Sequence, residues 1–487
     1  MEKNSNLLYL IENYLYSNKI DPSIIKTSNI SIWPAIRLKY SIDYDSFRNK
    51  KKNVIKIKEK KIKTFLNYIL NNLKRFVNIL YGFNYLFRKY KYVIFTSTLE
   101  NRLIDDRQIN KLFEPFINNV DSENVLIIET PLKTFHYKRS ELKYKNTVSS
   151  QFFKSFGDLI LFFNKKIRQK NLKIENESLF KEIQNNFGFK TNYRSHISHI
   201  LKLIYTLKIF YKIWKPRAIL LSCYYIDLNY AAIYTAKING IKTIEFQHGI
   251  INENHLAYNI EIKMDDSFFP DYFLSFGNYF SSKIDNGNFI DKKRIIPIGS
   301  YYLNYIKNEY VLGESIKIQI DKFKKKYKYI VAFTSQWTVE AKSIDFLKKV
   351  LSISDQILII YIPRYLNKDY SSFDLPESLI LMQSISSKLD AYKVMKFSDI
   401  HSTVYSTCAF EAIALEKPNL LLNIDNLSKI HLNDLIKLNV NTYCVDSPEE
   451  FVNIIGKLQF SKNNSEIFFE DNNEDKIKKI VDEIINI

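Results

Sequence analysis

The chain has 487 residues, roughly three times a typical domain of ~150, so at least two folded units are expected. Apolar residues at 46% and charged residues at 25% exclude a disordered or fibrous chain and allow a large buried core. The formal net charge is +19, and only ten glycines occur, with no GxGxxG or GxxxxGK[ST], so any bound phosphate is held without a glycine-paved loop.

The first 90 residues read as mostly helical. They begin MEKNSNLLYLIENY, which lacks the cationic start and clean apolar run of a signal peptide. SIWPAIR (Ser31–Arg37) interrupts them, with Pro34 marking a helix boundary or first-turn position. Residues 46–92 carry fourteen Lys/Arg against one acid, Glu59, leaving only +6 of the net charge elsewhere. Within this block Phe65, Ile69, Leu73, Phe76, Leu80, Phe83 and Phe87 recur at helical steps, the pattern of a cationic amphipathic helix. Such a helix suits an anionic membrane surface. No RNP-like, helix-turn-helix or zinc-finger signature accompanies the charge, so nucleic acid is not the expected partner.

From Tyr92 the pattern changes to short β-branched or aromatic runs separated by helical segments. KYVIFTST, NVLIIET, AILLSCYY and KTIEFQHG come first. The last two bracket LNYAAIYTAKING, a helix closed by Gly240, which makes a strand–helix–strand unit. DYFLSFG and RIIPIGS follow, then a lysine-rich helical stretch, SIKIQIDKFKKKYK. A second alternating series contains YIVAFTSQ, QILIIYIPR, SLILMQS, IHSTVYS and NLLLNI. Ser447, Pro448 and Glu450 predict a capped helix start, and a polar segment precedes a last helix at Lys476–Ile487. This alternation predicts an α/β chain of two tandem doubly wound, Rossmann-like domains behind a helical basic N-terminus. The boundaries read as 1–90 for that extension, 91–308 and 309–460 for the two domains, and 461–487 for a linker and helix.

Cys223, Cys408 and Cys444 are far apart and form no CxxC, so a disulfide framework or thiolate zinc site is not expected, and a reducing compartment fits. His196 and His199 have no acid close in sequence, and HExxH is absent. The longest uncharged stretches, such as Ala218–Ile226, are about half of the ~20 residues of a spanning helix. No DxD stands at a strand end, and Asp369 with Asp374 does not form one, so no protein-bound metal or cofactor is expected.

In open parallel sheets ligands bind beyond the carboxyl ends of the strands. In the second domain those ends carry Thr334, Ser335 and Gln336, then Arg364, then His401–Pro418. Ser406 and Thr407 stand where a helix begins, and Glu411 lies one turn deeper on the same face. Hydroxyls, free N–H groups and the helix end suit a phosphate, and the carboxylate suits vicinal ribose hydroxyls. The competing reading makes Ser406 an N-cap and Glu411 a solvated helix residue. In the first domain Gln247-His248-Gly249 ends a buried strand on the side expected to face the cleft. A neutral imidazole there suits a base for a hydroxyl, or a donor to a departing phosphate. His255 and Tyr258 follow in the same loop as acceptor or donor contacts, or as simple packing. Asp105 and Asp106, after the first strand, are the alternative carboxylate base.

The run Ser406–Pro418 resembles the nucleotide-binding segment of GT-B fold glycosyltransferases, in which Ser, Glu-Ala, Gly and Pro recur before a strand. Glu411-Ala412 and Pro418 match, while Glu416 stands near the place where glycine is commoner. Epimerases of the same fold carry this segment too. EFQHGIINENHLAY resembles the Gln-His-Gly segment of bacterial capsule and lipopolysaccharide glycosyltransferases, and teichoic-acid glycerophosphate polymerases have a similar His-Gly turn. SIWPAIR resembles a segment seen ahead of such domains. Related bacterial sialyltransferases carry an acidic base near the position of Asp105 and Asp106, and His-Pro where this chain has Ile362-Pro363-Arg364. Arg364 is then a bidentate phosphate ligand in place of that histidine.

The resemblance implies a GT-B glycosyltransferase of cell-surface polysaccharide assembly, metal-independent and peripheral to the inner face of a membrane. Its donor would be a UDP- or CMP-linked sugar and its acceptor a glycan or lipid-linked glycan. A nucleotide-sugar epimerase, or a non-catalytic membrane- or glycan-binding scaffold, are the alternatives.

Overall fold

The computed structural model describes residues 6–52, 77–132, 136–284, 287–364, 368–438, 441–458, 467–471 and 474–486. The chain divides into two units, Met1–Ile298 with Asn473–Ile487, and Gly299–Asn472.

The first unit is built on seven parallel strands: β1 Tyr92–Ser97, β2 Val125–Thr130, β3 Thr147–Ser149, β4 Ala218–Leu221, β5 Lys242–Phe246, β6 Tyr272–Ser275 and β7 Ile295–Pro297. They lie in the order β7-β6-β5-β4-β1-β2-β3, every neighbouring pair parallel. The second unit has six: β8 Tyr329–Thr334, β9 Ile357–Ile362, β10 Leu379–Leu381, β11 Ile400–Thr403, β12 Asn419–Leu422 and β13 Thr442–Val445. Their order is β10-β9-β8-β11-β12-β13, again all parallel. Counted within each unit, both sheets start 3-2-1-4-5-6, the doubly wound Rossmann order. The chain is an α/β protein of two tandem Rossmann-like units. Continuous apolar runs such as AILL and ILIIYI suit strands covered on both faces, and every residue of both is buried.

The N-terminal helices α1 (Leu7–Ser17) and α2 (Trp33–Lys52) pack into the core of the first unit through Leu8, Ile11, Leu15, Trp33, Ile36 and Tyr40. Pro34 is the second residue of α2, where its missing N–H has no partner to lose. Arg37, from SIWPAIR, is fully buried and pairs with Glu12 of α1 at 2.7 Å. Of the predicted amphipathic face, Phe65, Ile69, Leu73 and Phe76 lie outside the described residues. The helix does not continue through Phe83 and Phe87. Gly82 adopts φ +78, and a Cβ there would stand 2.1 Å from the Thr147 carbonyl, so only glycine fits the turn. Leu80, Phe83 and Phe87 are exposed. Among the described residues no helix is long and apolar enough to cross a membrane.

Three helices matter below: α3 (Ser150–Phe163), α4 (Tyr193–Trp214) and α5 (Asp227–Lys237). The second unit adds α6 (Glu314–Lys326), α7 (Ala391–Phe397) and α8 (Cys408–Ala414). The last helix, α9 (Glu474–Asn486), belongs to the first unit. Ser447 caps the helix Pro448–Lys457 by accepting the Glu450 N–H at 3.2 Å. Glu450 turns back to the Asp446 N–H at 2.8 Å, one residue earlier than a standard capping box.

Beyond α8 the chain ends in a Schellman turn. The Glu416 N–H donates to the Ile413 carbonyl and the Lys417 N–H to the Ala412 carbonyl, with Glu416 at φ +60. Left-handed backbone disfavours any residue with a Cβ, and the exposed pair Glu416–Lys307 at 3.0 Å offsets little. Glu416→Gly is therefore expected to raise stability by about 0.5–1 kcal/mol, read from urea unfolding midpoints at constant m-value.

Candidate functional site

In the second unit the strand order reverses between β8 and β11, the place where open parallel sheets bind ligands in a crevice beyond their carboxyl ends. Thr334 and Thr403 are register partners there. The Thr403 hydroxyl donates to the Thr334 carbonyl at 2.8 Å and accepts from Gln336 Nε2 at 2.9 Å. Gln336 Oε1 accepts the Tyr405 N–H, and Thr403 Oγ1 the Ser406 N–H. Ser335 Oγ accepts the Arg364 N–H at 3.0 Å. Thr334, Ser335 and Gln336 are buried, with these bonds holding neighbouring loops. They shape the crevice rather than reach from it.

The groups facing outward are others. Thr407 and Arg364 are exposed and Ser406 is half-buried. Ser406 Oγ accepts the Cys408 N–H at 3.2 Å, so it caps the start of α8, and Thr407 makes no capping bond. Glu411 is not a solvated helix residue. It is buried and accepts from the Tyr392 hydroxyl of α7 at 3.1 Å. Trp337, 66% exposed directly after Gln336, is a large aromatic surface at the same strand end that sequence reasoning passed over.

Beneath the crevice lies a buried polar chain invisible to sequence periodicity. Asn419 Nδ2 donates to the Ala409 carbonyl and the Thr442 hydroxyl, which leaves Oδ1 to accept from His401 Nδ1 at 2.6 Å. His401 Nε2 then accepts from the Thr334 hydroxyl at 2.9 Å. Burial pushes this histidine down to about 4, so it is neutral in the fold. The unfolded chain takes up a proton below ~6.5. Stability from this group is complete above that value and is lost as pH falls toward about 4, by about 3 kcal/mol. Urea unfolding between pH 6.5 and 4 is expected to show this slope, and His401→Gln to flatten it.

In the first unit Gln247-His248-Gly249 leaves the end of β5. Gln247 is buried; its Oε1 accepts the Phe276 N–H and its Nε2 donates to the Gly249 carbonyl, each at 2.7 Å. The side chain thus anchors the turn to the end of β6. His248 is half-buried, with Nε2 3.2 Å from the Tyr225 hydroxyl. Its Nδ1 is buried and meets no hydrogen-bond geometry. Burial lowers its pKa and Lys111 adds to that, while Glu100 and the Ser222 backbone act in the opposite sense. The ring is neutral at pH 7.

Glu100 is the carboxylate that acts on His248. It pairs with Lys111 at 3.0 Å. Burial alone would raise its pKa, but Lys111, His248 and Arg102 hold it below the ordinary value. Asp105 and Asp106 are elsewhere: both are exposed at the two-residue turn of the hairpin Asn101–Ile104/Arg107–Asn110. Their φ values of +47 and +59 explain them as turn residues that tolerate left-handed backbone. The sequence cue for Glu100 was its place as the first acid beyond β1.

His255 is half-buried beside Tyr225 and Tyr258, with ring centroids 5.9 and 4.7 Å away. Burial pushes it down to about 4. Tyr258 is buried, its hydroxyl donating to Glu245 Oε1 at 2.7 Å, so it packs under the loop instead of reaching a ligand. Glu245 also accepts the Tyr224 N–H at 3.1 Å, and burial pushes its carboxyl up to about 8.

Two further clusters bear on the reading. His196 and His199 of α4 do find an acid in space: each Nε2 lies 3.5 Å from an Asp227 oxygen at the start of α5. Among the described residues no group of three or more His, Cys, Asp or Glu is arranged to hold a metal ion. At the ends of β2 and β3, His136 contacts Glu129 Oε1 at 2.8 Å and Ser149 Oγ at 2.9 Å. The order is that of a hydrolytic triad. Ser149, however, is fully buried and caps α3 by accepting the Gln151 N–H, so the array pins a loop.

No family model matches the sequence, and no curated protein matches it. Among solved structures, the chain is similar to the wall teichoic acid polymerase TagF, at 14% identity and TM-score 0.47, covering 88% of this chain and 99% of that one. It is similar to UDP-GlcNAc 2-epimerase from Methanocaldococcus jannaschii at 12% identity and TM-score 0.47, covering 81% and 99%. A third is the glycotransferase of kitacinnamycin, at 9% identity and TM-score 0.46, covering 82% and 100%. Likeness of this degree fixes neither reaction nor substrate.

Proposed function

We propose that the protein is a GT-B glycosyltransferase of cell-surface polysaccharide assembly, moving a sugar from a UDP- or CMP-linked donor to a glycan or lipid-linked acceptor. The observation that carries this reading is the strand-order reversal of the second unit. It is supported by Ser406 and Thr407 at the start of α8, Arg364 tied through its N–H to Ser335, and the buried carboxylate of Glu411; in this reading they line one crevice on a support made by Thr334, Ser335 and Gln336. Hydroxyl, guanidinium and N–H donors suit the phosphates, Glu411 the ribose, and the Trp337 ring a base.

His248 serves as the base that takes the acceptor proton while the sugar–phosphate bond breaks, and fixed donors stabilise the leaving phosphate. Glu100 holds charge beside it. Gln247 and Gly249 set the turn, and His255 lines the same loop. Neutral His248 supports this assignment over Asp105 or Asp106, which stand at an exposed turn. Peripheral attachment to an anionic membrane is supported by Leu159, Phe162 and Phe163, all exposed at the end of α3 ahead of Lys165 and Lys166.

The test is a screen of nucleotide sugars with and without glycan acceptors, read from released UDP or CMP. Acceptor-dependent release supports the transferase. Epimer formation without acceptor would replace it with the epimerase, and no nucleotide-induced thermal shift would leave a scaffold.

A further inference from the structure

The strand order of the first unit reverses between β1 and β4, the place where open parallel sheets take ligands. Tyr225 stands four residues beyond the end of β4. Its neighbour Tyr224 is buried: the backbone N–H donates to Glu245 Oε1 at 3.1 Å, and the hydroxyl donates to the Ala257 carbonyl. Tyr225 is half-buried, with its ring at 86° to that of Tyr224. It lies 5.9 Å from the rings of both His248 and His255. Its hydroxyl meets His248 Nε2 at 3.2 Å.

A neutral imidazole has one N–H and one lone pair. Burial lowers the His248 pKa, and the Ser222 backbone acts against it, the sense of a carbonyl beside a ring N–H. Nε2 faces the phenol, so the buried Nδ1 is the nitrogen left to carry that N–H. Nε2 then holds the lone pair and accepts the Tyr225 O–H. The nitrogen that serves as the base is thus already occupied by a hydroxyl, and a proton reaches it through that hydroxyl. Burial, with Cys223 and Glu245 adding to it, pushes the Tyr225 pKa up. A phenolate is therefore not a stopping point, and Tyr225 gains one proton as it gives up another.

We propose that Tyr225 is a catalytic residue that relays the acceptor's proton to His248. The inference rests on the reading of His248 as the base of a glycosyl transfer. The acceptor oxygen bonds to the anomeric carbon of the donor while its proton passes to the Tyr225 oxygen. The proton that Tyr225 held passes to His248 Nε2, and the electron pair of the sugar–phosphate bond leaves with the phosphate. Tyr225 is a neutral phenol before and after, and the imidazolium returns its proton to water.

Tyr225→Phe keeps the ring and its packing. It is expected to lower kcat by about 10²–10³-fold, with the Kd for nucleotide and the unfolding midpoint unchanged. Y225F/H248A is expected to be no slower than H248A alone, since both residues serve one proton path. Rates of the wild type in mixtures of light and heavy water are expected to bow, with two protons in flight, and those of Y225F to fall on a straight line. Nitrogen NMR of the full chain with labelled histidine, assigned by loss of the signal in H248A, needs no turnover: the N–H is expected at Nδ1, and the Nε2 signal is expected to move in Y225F. Wild-type turnover in Y225F, losses that multiply in the double variant, or an N–H found at Nε2 overturns the relay and leaves the transferase reading standing. A wild-type protein with no acceptor-dependent turnover overturns both.

Discussion

His248→Ala is expected to lower turnover by about 10²–10⁴-fold, the usual contribution of a positioned general base, while leaving nucleotide affinity unchanged. The effect belongs in kcat because, in the proposed reading, the ring takes the acceptor proton; His248 belongs to the first unit and the candidate nucleotide site to the second. The pH profile supplies an independent reading. Burial holds the His248 pKa below its ordinary value, so the acid limb of kcat/KM is expected below ~6.5. Glu100 is the charge that raises that pKa; Glu100→Gln removes it and moves the limb to still lower pH. A variant lacking His248 with wild-type turnover, or an acid limb indifferent to Glu100→Gln, would take the imidazole out of the chemistry.

Glu411→Ala is expected to weaken UDP or CMP binding by about 2–3 kcal/mol, roughly 30- to 150-fold in Kd, the worth of hydrogen bonds to a buried carboxylate. Glu411→Gln keeps the shape and one acceptor, so a smaller loss is expected. Both are read by calorimetry with the nucleotide alone, which separates binding from turnover. The position is already organised: the Tyr392 hydroxyl fixes the carboxylate before any ligand arrives. Nucleotide affinity unaltered in both variants would show that the second-unit crevice serves something else.

The two sheets were legible because strands buried on both faces are written as unbroken β-branched runs, as in ILIIYI and AILL. The edge strands β3 and β13 were not. Thr147–Ser149 is three residues with one apolar side chain, too short for any period to register. The basic helix was extended through Phe83 and Phe87 because spacing alone does not reveal that Gly82 must turn beside a carbonyl. At the candidate site, strand ends could be located from the order of elements, which brought Thr334, Ser406 and His248 into view. Which of them face outward could not, since that depends on partners far along the chain: Thr334 is spent on His401, and Tyr258 on Glu245. For Asp105 and Asp106 the structure adds that they form an exposed hairpin turn, which composition does not reveal because an acidic pair after a strand reads the same whether it is a base or a tight turn. Glu100, the acid that matters electrically, is set there by Lys111 and His248.

Helix α9 returns to the first unit after the whole second unit has been made. Its Ile477, Val481 and Ile484 are buried, and Tyr92 of β1 donates to Asp482 at 3.2 Å. The first unit, begun before the second, is therefore completed after it. Until Glu474–Asn486 emerges, the start of strand β1 stays uncovered, while the inserted unit has already received all six of its strands.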